Sequence, residues 1–502
     1  MIPVGLARTE PSYRGLRPPW GPGKPHPELA ALLGETASAG PANPAYAAVR
    51  AALAALGLDG HRFGSADWNP LGALVPRGGR VVLKPNFIRH WNPADDGGLE
   101  SVVTHGAVIR AAADYAWLAV GPEGSVVLAE APQHDCDFEE IRAWSGLDEL
   151  TRLYDEQLGV EFPILDLRRE QVVYRDGVIV ERRPLPGDPK GYRAVDLGTR
   201  SFFSGSGLDP ERFRGADYDP GPTAAHHSGG RNEYLLSETV LHADLIVNLP
   251  KLKTHKKTGV TLALKNLVGV NGDKNWLPHH CVGSVTEGGD EYPGDALVDG
   301  ARSRATELAR RWLARGRARS LLRLARRAEN ALRGEDFVRA GNWYGNDTTW
   351  RMCLDLNRCV YFSDADGLHL DAAEPLRNVL TVLDGIVAGE GEGPLVPRNR
   401  PCGVVLAATD PVALDLVAIR LMGFDERLIA KVREAMRDAG PRVTAVKSAD
   451  DVALFECDPT TFATRRSALD TLAPTKPFLA HSGWRGHVER ERGAAHAAGA
   501  AG

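Results

Sequence analysis

Between Pro250 and Gly269 the chain reads PKLKTHKKTGVTLALKNLVG, crowding Lys251, Lys253, His255, Lys256 and Lys257 into one short stretch. Ammonium groups at this density bind an anion, and an imidazole beside them can shuttle protons because its ordinary pKa lies near 6.5. The apolar run Leu245–Leu249, stopped by Pro250, reads as a buried strand of an α/β sheet, and ligands gather just past such strand ends. A strand, a basic loop and a helix N-terminus predict an anion site, since free backbone N–H groups and the helix dipole add to the lysine charge. The competing reading is a solvated surface loop. Lys265 and Asn266 weigh against it, because they interrupt the apolar run TLALKNLV, where a buried lysine is costly unless paired. On a helix Lys265 shares the face of Thr261. His255 and Lys265 are therefore candidate proton movers, with Lys251, Lys253 and Asn266 as substrate binders.

Three further groups carry the right chemistry. Lys84 and Asn86 flank Pro85 at the end of the strand-like run RVVLK and join the substrate binders. His105 stands at the head of an alanine-rich helix, with Thr104 as its N-cap, and is a third acid–base candidate. Asp384, Glu390 and Glu392 lie among glycines that would let carboxylates converge on magnesium or manganese; in the alternative they pair with the lysines. His279, His280 and Cys281 are metal-ligand types, but consecutive residues of an extended chain point apart. No phosphate loop, dinucleotide fingerprint or G-x-S-x-G elbow is present, so no ATP, NAD or serine-hydrolase motif is expected.

The segment NLPKLKTHKKTGVTLALKNLVG, with KPN at Lys84–Asn86, resembles the family known as domain of unknown function 362. LDGIVAGEGEGP and AATDPVALDLVAIRLMG resemble its C-terminal block, and LPHHCVGSVTEGGDEYP and GNWYGNDTTWRMCLDLNR resemble its longer bacterial members. Some relatives carry iron–sulfur ferredoxin modules. Here the six cysteines never form a C-x-x-C pair, so no iron–sulfur cluster is expected and a redox role is the third choice.

With 502 residues, 43% of them hydrophobic, the chain can build two or three cores. A net charge of −5 gives no general pull towards nucleic acid. No run is long enough for a transmembrane helix and the start lacks signal-peptide order, so a cytoplasmic protein is expected. The arginine-rich stretch 302–333 could touch a peripheral membrane surface or an acidic partner, or simply snorkel its charges into solvent.

The elements that must position these residues predict an α/β fold: two lobes with mainly parallel sheets flanked by helices, and a cleft between them. The boundaries are an N-terminal arm and helix over 1–78, a first lobe over 79–300 with an irregular excursion at 170–233, a basic helical insertion at 301–340, a second lobe at 341–460, and a tail at 461–502. An Asp-Gly turn at Asp176-Gly177 predicts a hairpin inside the excursion. The function expected is an enzyme of small-molecule biosynthesis that binds a phosphate or carboxylate in the basic cleft, of isomerase, lyase or transferase type. The alternative is a non-catalytic anion-binding or regulatory protein.

Overall fold

The computed structural model describes residues 1–38, 41–94, 98–175, 178–217, 219–294, 297–314 and 340–491. The chain is an α/β protein built on one eleven-stranded, mainly parallel sheet. Its strands are β1 (Ile2–Arg8), β2 (Arg80–Pro85), β3 (Ser125–Glu130), β4 (Ile164–Asp166), β5 (Leu245–Leu249), β6 (Lys251–His255), β7 (Gly259–Val260), β8 (Asn378–Glu392), β9 (Val396–Ala408), β10 (Val452–Cys457) and β11 (Thr464–Ser467). Their order is β11-β10-β1-β9-β8-β5-β2-β3-β4, with β6 on β8 and β7 on β6. β8 through β4 run parallel, while β9 is antiparallel to both β8 and β1.

The central strands are short apolar runs because both their faces are buried. Val82 and Ile246 point into one core, with α3 (Thr349–Phe362) and α4 (Pro411–Leu421). Val81, Leu83, Leu245 and Val247 point into the other, with α1 (Gly106–Val120). Asp410 caps α4, its carboxylate accepting from the N–H groups of Val412 and Ala413, and Pro411 follows at the first position as expected.

Several expectations change. The first residues, taken as an arm, supply β1, which lies between β9 and β10 with Val4 and Leu6 fully buried. The material assigned to two lobes shares one sheet, since β8 pairs directly with β5. The region assigned to a tail begins with β11 on β10. α1 is capped by His105 rather than Thr104. Glu170–Arg175 and Val178–Pro184 do form an antiparallel hairpin, while its turn at Asp176-Gly177 lies outside the described residues. Of the arginine-rich stretch, the structure describes the end of the helix Leu297–Ala314, where Glu307 pairs with Arg214 at 2.6 Å; residues 315–339 lie outside the described residues. Among the described residues no helix is long and apolar enough to cross a membrane.

Candidate functional site

Lys251–His255 is a strand, not a loop. After Pro250 the chain re-enters the sheet alongside β8, with Lys251 opposite Asp384 and Lys253 opposite Gly389. Its charges are tolerated because partners arrive from elsewhere. Lys251 Nζ donates to Asp384 at 2.8 Å, and both side chains are fully buried. Lys253 Nζ donates to Asn86 Oδ1 at 2.7 Å and to the Val102 carbonyl at 2.5 Å.

α2 (Leu262–Asn266) follows β7 and begins at Leu262, which takes the left-handed φ of 53°. The free N–H groups expected to receive an anion are already occupied. Ala263 N–H donates to Asp415 Oδ1 at 2.7 Å, and Asp415 is held by Lys431 at 3.0 Å from α5 (Ala430–Arg437). α2 therefore aims side chains, not backbone, at the ligand space. Asn266 Nδ2 donates to Asn248 Oδ1 at 2.7 Å, and Asn266 Oδ1 accepts from Asn86 Nδ2 at 2.7 Å. This chain, Asn248 to Asn266 to Asn86 to Lys253, ties the ends of β5 and β2 to β6 and fixes one wall.

Past these strand ends lies a cavity of about 330 Å³. Lys253, Lys256, Lys257, Lys265 and Lys274 line it, with His134, His255, His279 and His280. Glu130 is its one carboxylate among the described lining residues, and Lys84 already holds it at 2.6 Å. Lys274 Nζ donates to the Ala131 carbonyl at 2.6 Å, and Lys257 Nζ bonds the Ala340 carbonyl. Lys265 and Lys256, both partly exposed, have no acceptor among the described residues. Buried polar atoms of His134, Thr261, His280 and Asn342 at the lining also lack partners among the described residues.

Burial in this basic surround favours neutral forms. It lowers Lys257 to about 7, with Lys256 pushing the same way. It also lowers Lys274 to about 7, against the pull of Glu130. Burial depresses Lys265, helped by Lys431 against the opposing pull of Cys353. Burial and the Lys265 charge bring His279 to about 3 and hold His255 well below its ordinary value. The tautomers of these two imidazoles differ. His255 Nδ1 accepts from the N–H of Lys257 at 3.1 Å, so its proton sits on Nε2. His279 Nδ1 faces the Leu277 carbonyl at 2.9 Å and must donate, which leaves Nε2 as a base.

Of the expected site residues, Asn86, Lys253, His255, Lys265 and Asn266 meet at the cavity, and Lys84 backs its floor. Others stand apart. His105 Nδ1 accepts from Ala107 N–H, its ring stacks on Tyr13 at 3.7 Å, and burial lowers its pKa to about 3. Asp384 accepts from Lys251, from the Tyr13 hydroxyl and from His105 N–H. Glu390 accepts from Leu479 N–H, and Glu392 pairs with His481 at 2.9 Å. The three carboxylates do not converge, and among the described residues no group of three or more His, Cys, Asp and Glu could hold a metal ion. Glu130, Lys274, His134 and His279 were missed as pocket residues. Glu130 had a signal, since it ends a parallel strand beside Lys84.

Residues 172–420 match the family described as domain of unknown function (DUF362). The match covers just under half of the chain and supports the resemblance read from its motifs. The match supplies β5 through α4, hence Lys253, Lys265, Lys274 and His279, whereas Asn86 and Glu130 come from outside it. The Thylakoid-associated protein sll1697 of Synechocystis sp. is 25% identical over 217 residues, which are 43% of this chain and 42% of that protein. The chain thus spans less than half the length of the relative it matches. No solved structure matches.

Proposed function

We propose that the cavity binds a small phosphate- or carboxylate-bearing metabolite and performs acid–base chemistry on it, as an isomerase, lyase or transferase. One observation carries this reading: five lysines surround one cavity whose sole carboxylate among the described lining residues, Glu130, is already engaged by Lys84. An anion is the missing counter-charge. The catalytic reading gains on a mere binder from the Lys265 amine, which has no acceptor among the described residues, and from Nε2 of His279 at the same lining.

Sulfate tests the site, because it stays a dianion across the working pH range. It should raise the melting temperature beyond chloride at equal ionic strength, since a ligand at a hundred times its Kd stabilises by about 2.7 kcal/mol. Lys274→Met should remove the sulfate-specific part. The pH dependence has a defined sign. Lys257 and Lys274 titrate near 7 when folded against 10.5 as the ordinary value. The stability tied to their neutral forms is full above about 10.5 and is lost as pH falls through about 7. Sulfate prefers the charged forms, so its effect should be several-fold stronger at pH 6 than at pH 9. A sulfate effect equal to that of chloride at both pH values would sink the proposal.

A further inference from the structure

We propose that Lys265 forms a covalent imine with a carbonyl substrate, a 2-oxo acid or a phosphorylated aldehyde, whose anionic group sits among the neighbouring lysines. This inference rests on the anionic-pocket reading and names the substrate class for it. Apart from Lys256, the other lysines packed around this end of the sheet have acceptors within the protein: Lys84 has Glu130, Lys251 has Asp384, Lys253 has Asn86, Lys257 has the Ala340 carbonyl, Lys274 has the Ala131 carbonyl and Lys431 has Asp415. Lys265 has none among the described residues, although its neighbours in α2 are buried.

An amine becomes a nucleophile when it is desolvated beside other cations, which keeps it unprotonated. Lys265 opens onto the cavity from among buried neighbours, and burial of its surroundings with the Lys431 charge depresses it. Lys256 also lacks an acceptor among the described residues, but the charges that act on it belong to Arg89 and Glu392, which do not line the cavity. Lys265 instead is the foremost charge acting on His255 and on His279. These imidazoles supply complementary functions, an Nε2–H donor on His255 and an Nε2 acceptor on His279.

The step balances without any oxidant or reductant. The Lys265 Nζ lone pair attacks the carbonyl carbon, and the C=O π pair moves to oxygen, which takes up a proton. The resulting carbinolamine loses its N–H proton to His279 Nε2. The C–O bond then breaks, the oxygen leaves as water after a second proton, and the C=N bond forms. Once protonated, the imine draws electrons from the adjacent carbon, which serves the proton removal or carbon–carbon cleavage of an isomerase or lyase.

Trapping decides the matter. The full chain is incubated separately with pyruvate, glyoxylate and glyceraldehyde 3-phosphate in the presence of cyanoborohydride, then digested and mapped by mass spectrometry. With at least one probe, Lys265 should carry the reduced adduct at least ten-fold above the exposed Lys190 and above Lys256, and excess sulfate should suppress it. Lys265→Arg should lose that adduct while labelling at Lys190 is unchanged. The wild-type map is decisive even if the variant does not fold. Labelling of Lys265 no higher than Lys190 with all three probes overturns the imine. If sulfate still stabilises the protein in that case, the anion pocket stands without it; if sulfate does nothing either, both readings fall.

Discussion

Two lysines of this chain, fourteen residues apart, show how a charge becomes structural or chemical. Lys251 is fully buried, and Asp384 answers it at 2.8 Å while also accepting from Tyr13 and from His105 N–H. That carboxylate is committed to holding β6 against β8. Removing it should strand the ammonium, so Asp384→Ala should lose about 3–5 kcal/mol in urea denaturation. Glu390→Gln weakens a partly exposed pair with Arg400 at 3.6 Å while its amide oxygen can still accept from Leu479 N–H, so it should stay within about 1 kcal/mol. Equal losses in the two variants would contradict the division drawn here between structural and peripheral acids. Lys265 is the opposite case, with no carboxylate partner to strand among the described residues.

At the scale of elements, the ends of β2, β3 and β5 are brought within reach of α2 by a glycine. A Cβ on Gly269 would fall 1.9 Å from Glu130 Oε1 and 2.6 Å from Lys84 Nζ, well inside contact distance. Both side chains are buried and paired, so neither can swing away freely. Gly269→Ala should therefore destabilise by roughly 1–3 kcal/mol as overpacking, and it should weaken sulfate binding because Glu130 and Gly269 form part of the cavity lining. An alanine variant with wild-type urea midpoint and sulfate response would show that the wall yields. These elements also mark what the sequence discloses. Short apolar runs stopped by proline gave away β2 and β5, and Asp410-Pro411 gave away the start of α4, because such signals are local. β6 was not legible, since its alternating lysines and histidine look solvated until Asp384 arrives from 133 residues away. β1 was hidden for a similar reason, as its partners β9 and β10 lie at the other end of the chain.

Over the whole molecule, the last described residues close the structure around the basic strand. Gly391 N–H donates to the Leu479 carbonyl at 2.7 Å, Tyr344 N–H to the Gly483 carbonyl at 3.0 Å, and Arg490 N–H to the Gly423 carbonyl at 3.0 Å. This segment thus joins the end of β8, the turn after α4 and the stretch from Ala340 to Tyr344, which contributes Ala340 and Asn342 to the cavity. Trp484 lies at its centre. Its ring is buried, packs where a side chain on Gly259 would stand, and donates from Nε1 to the Lys256 carbonyl at 2.8 Å. A tryptophan so placed both fills core volume and fixes the turn that carries Lys256 and Lys257. The two roles separate by substitution. Trp484→Phe keeps most of the packing and loses one hydrogen bond, which should lower stability by about 1 kcal/mol and leave the sulfate response in place. Trp484→Ala opens a cavity and frees the turn, so it should lose about 3–5 kcal/mol and also weaken sulfate binding several-fold at a temperature where the variant is still folded. Urea denaturation and sulfate titration on the same samples give both quantities. An alanine variant that is destabilised yet binds sulfate as the wild type does would confine Trp484 to the core and detach the C-terminal segment from the site.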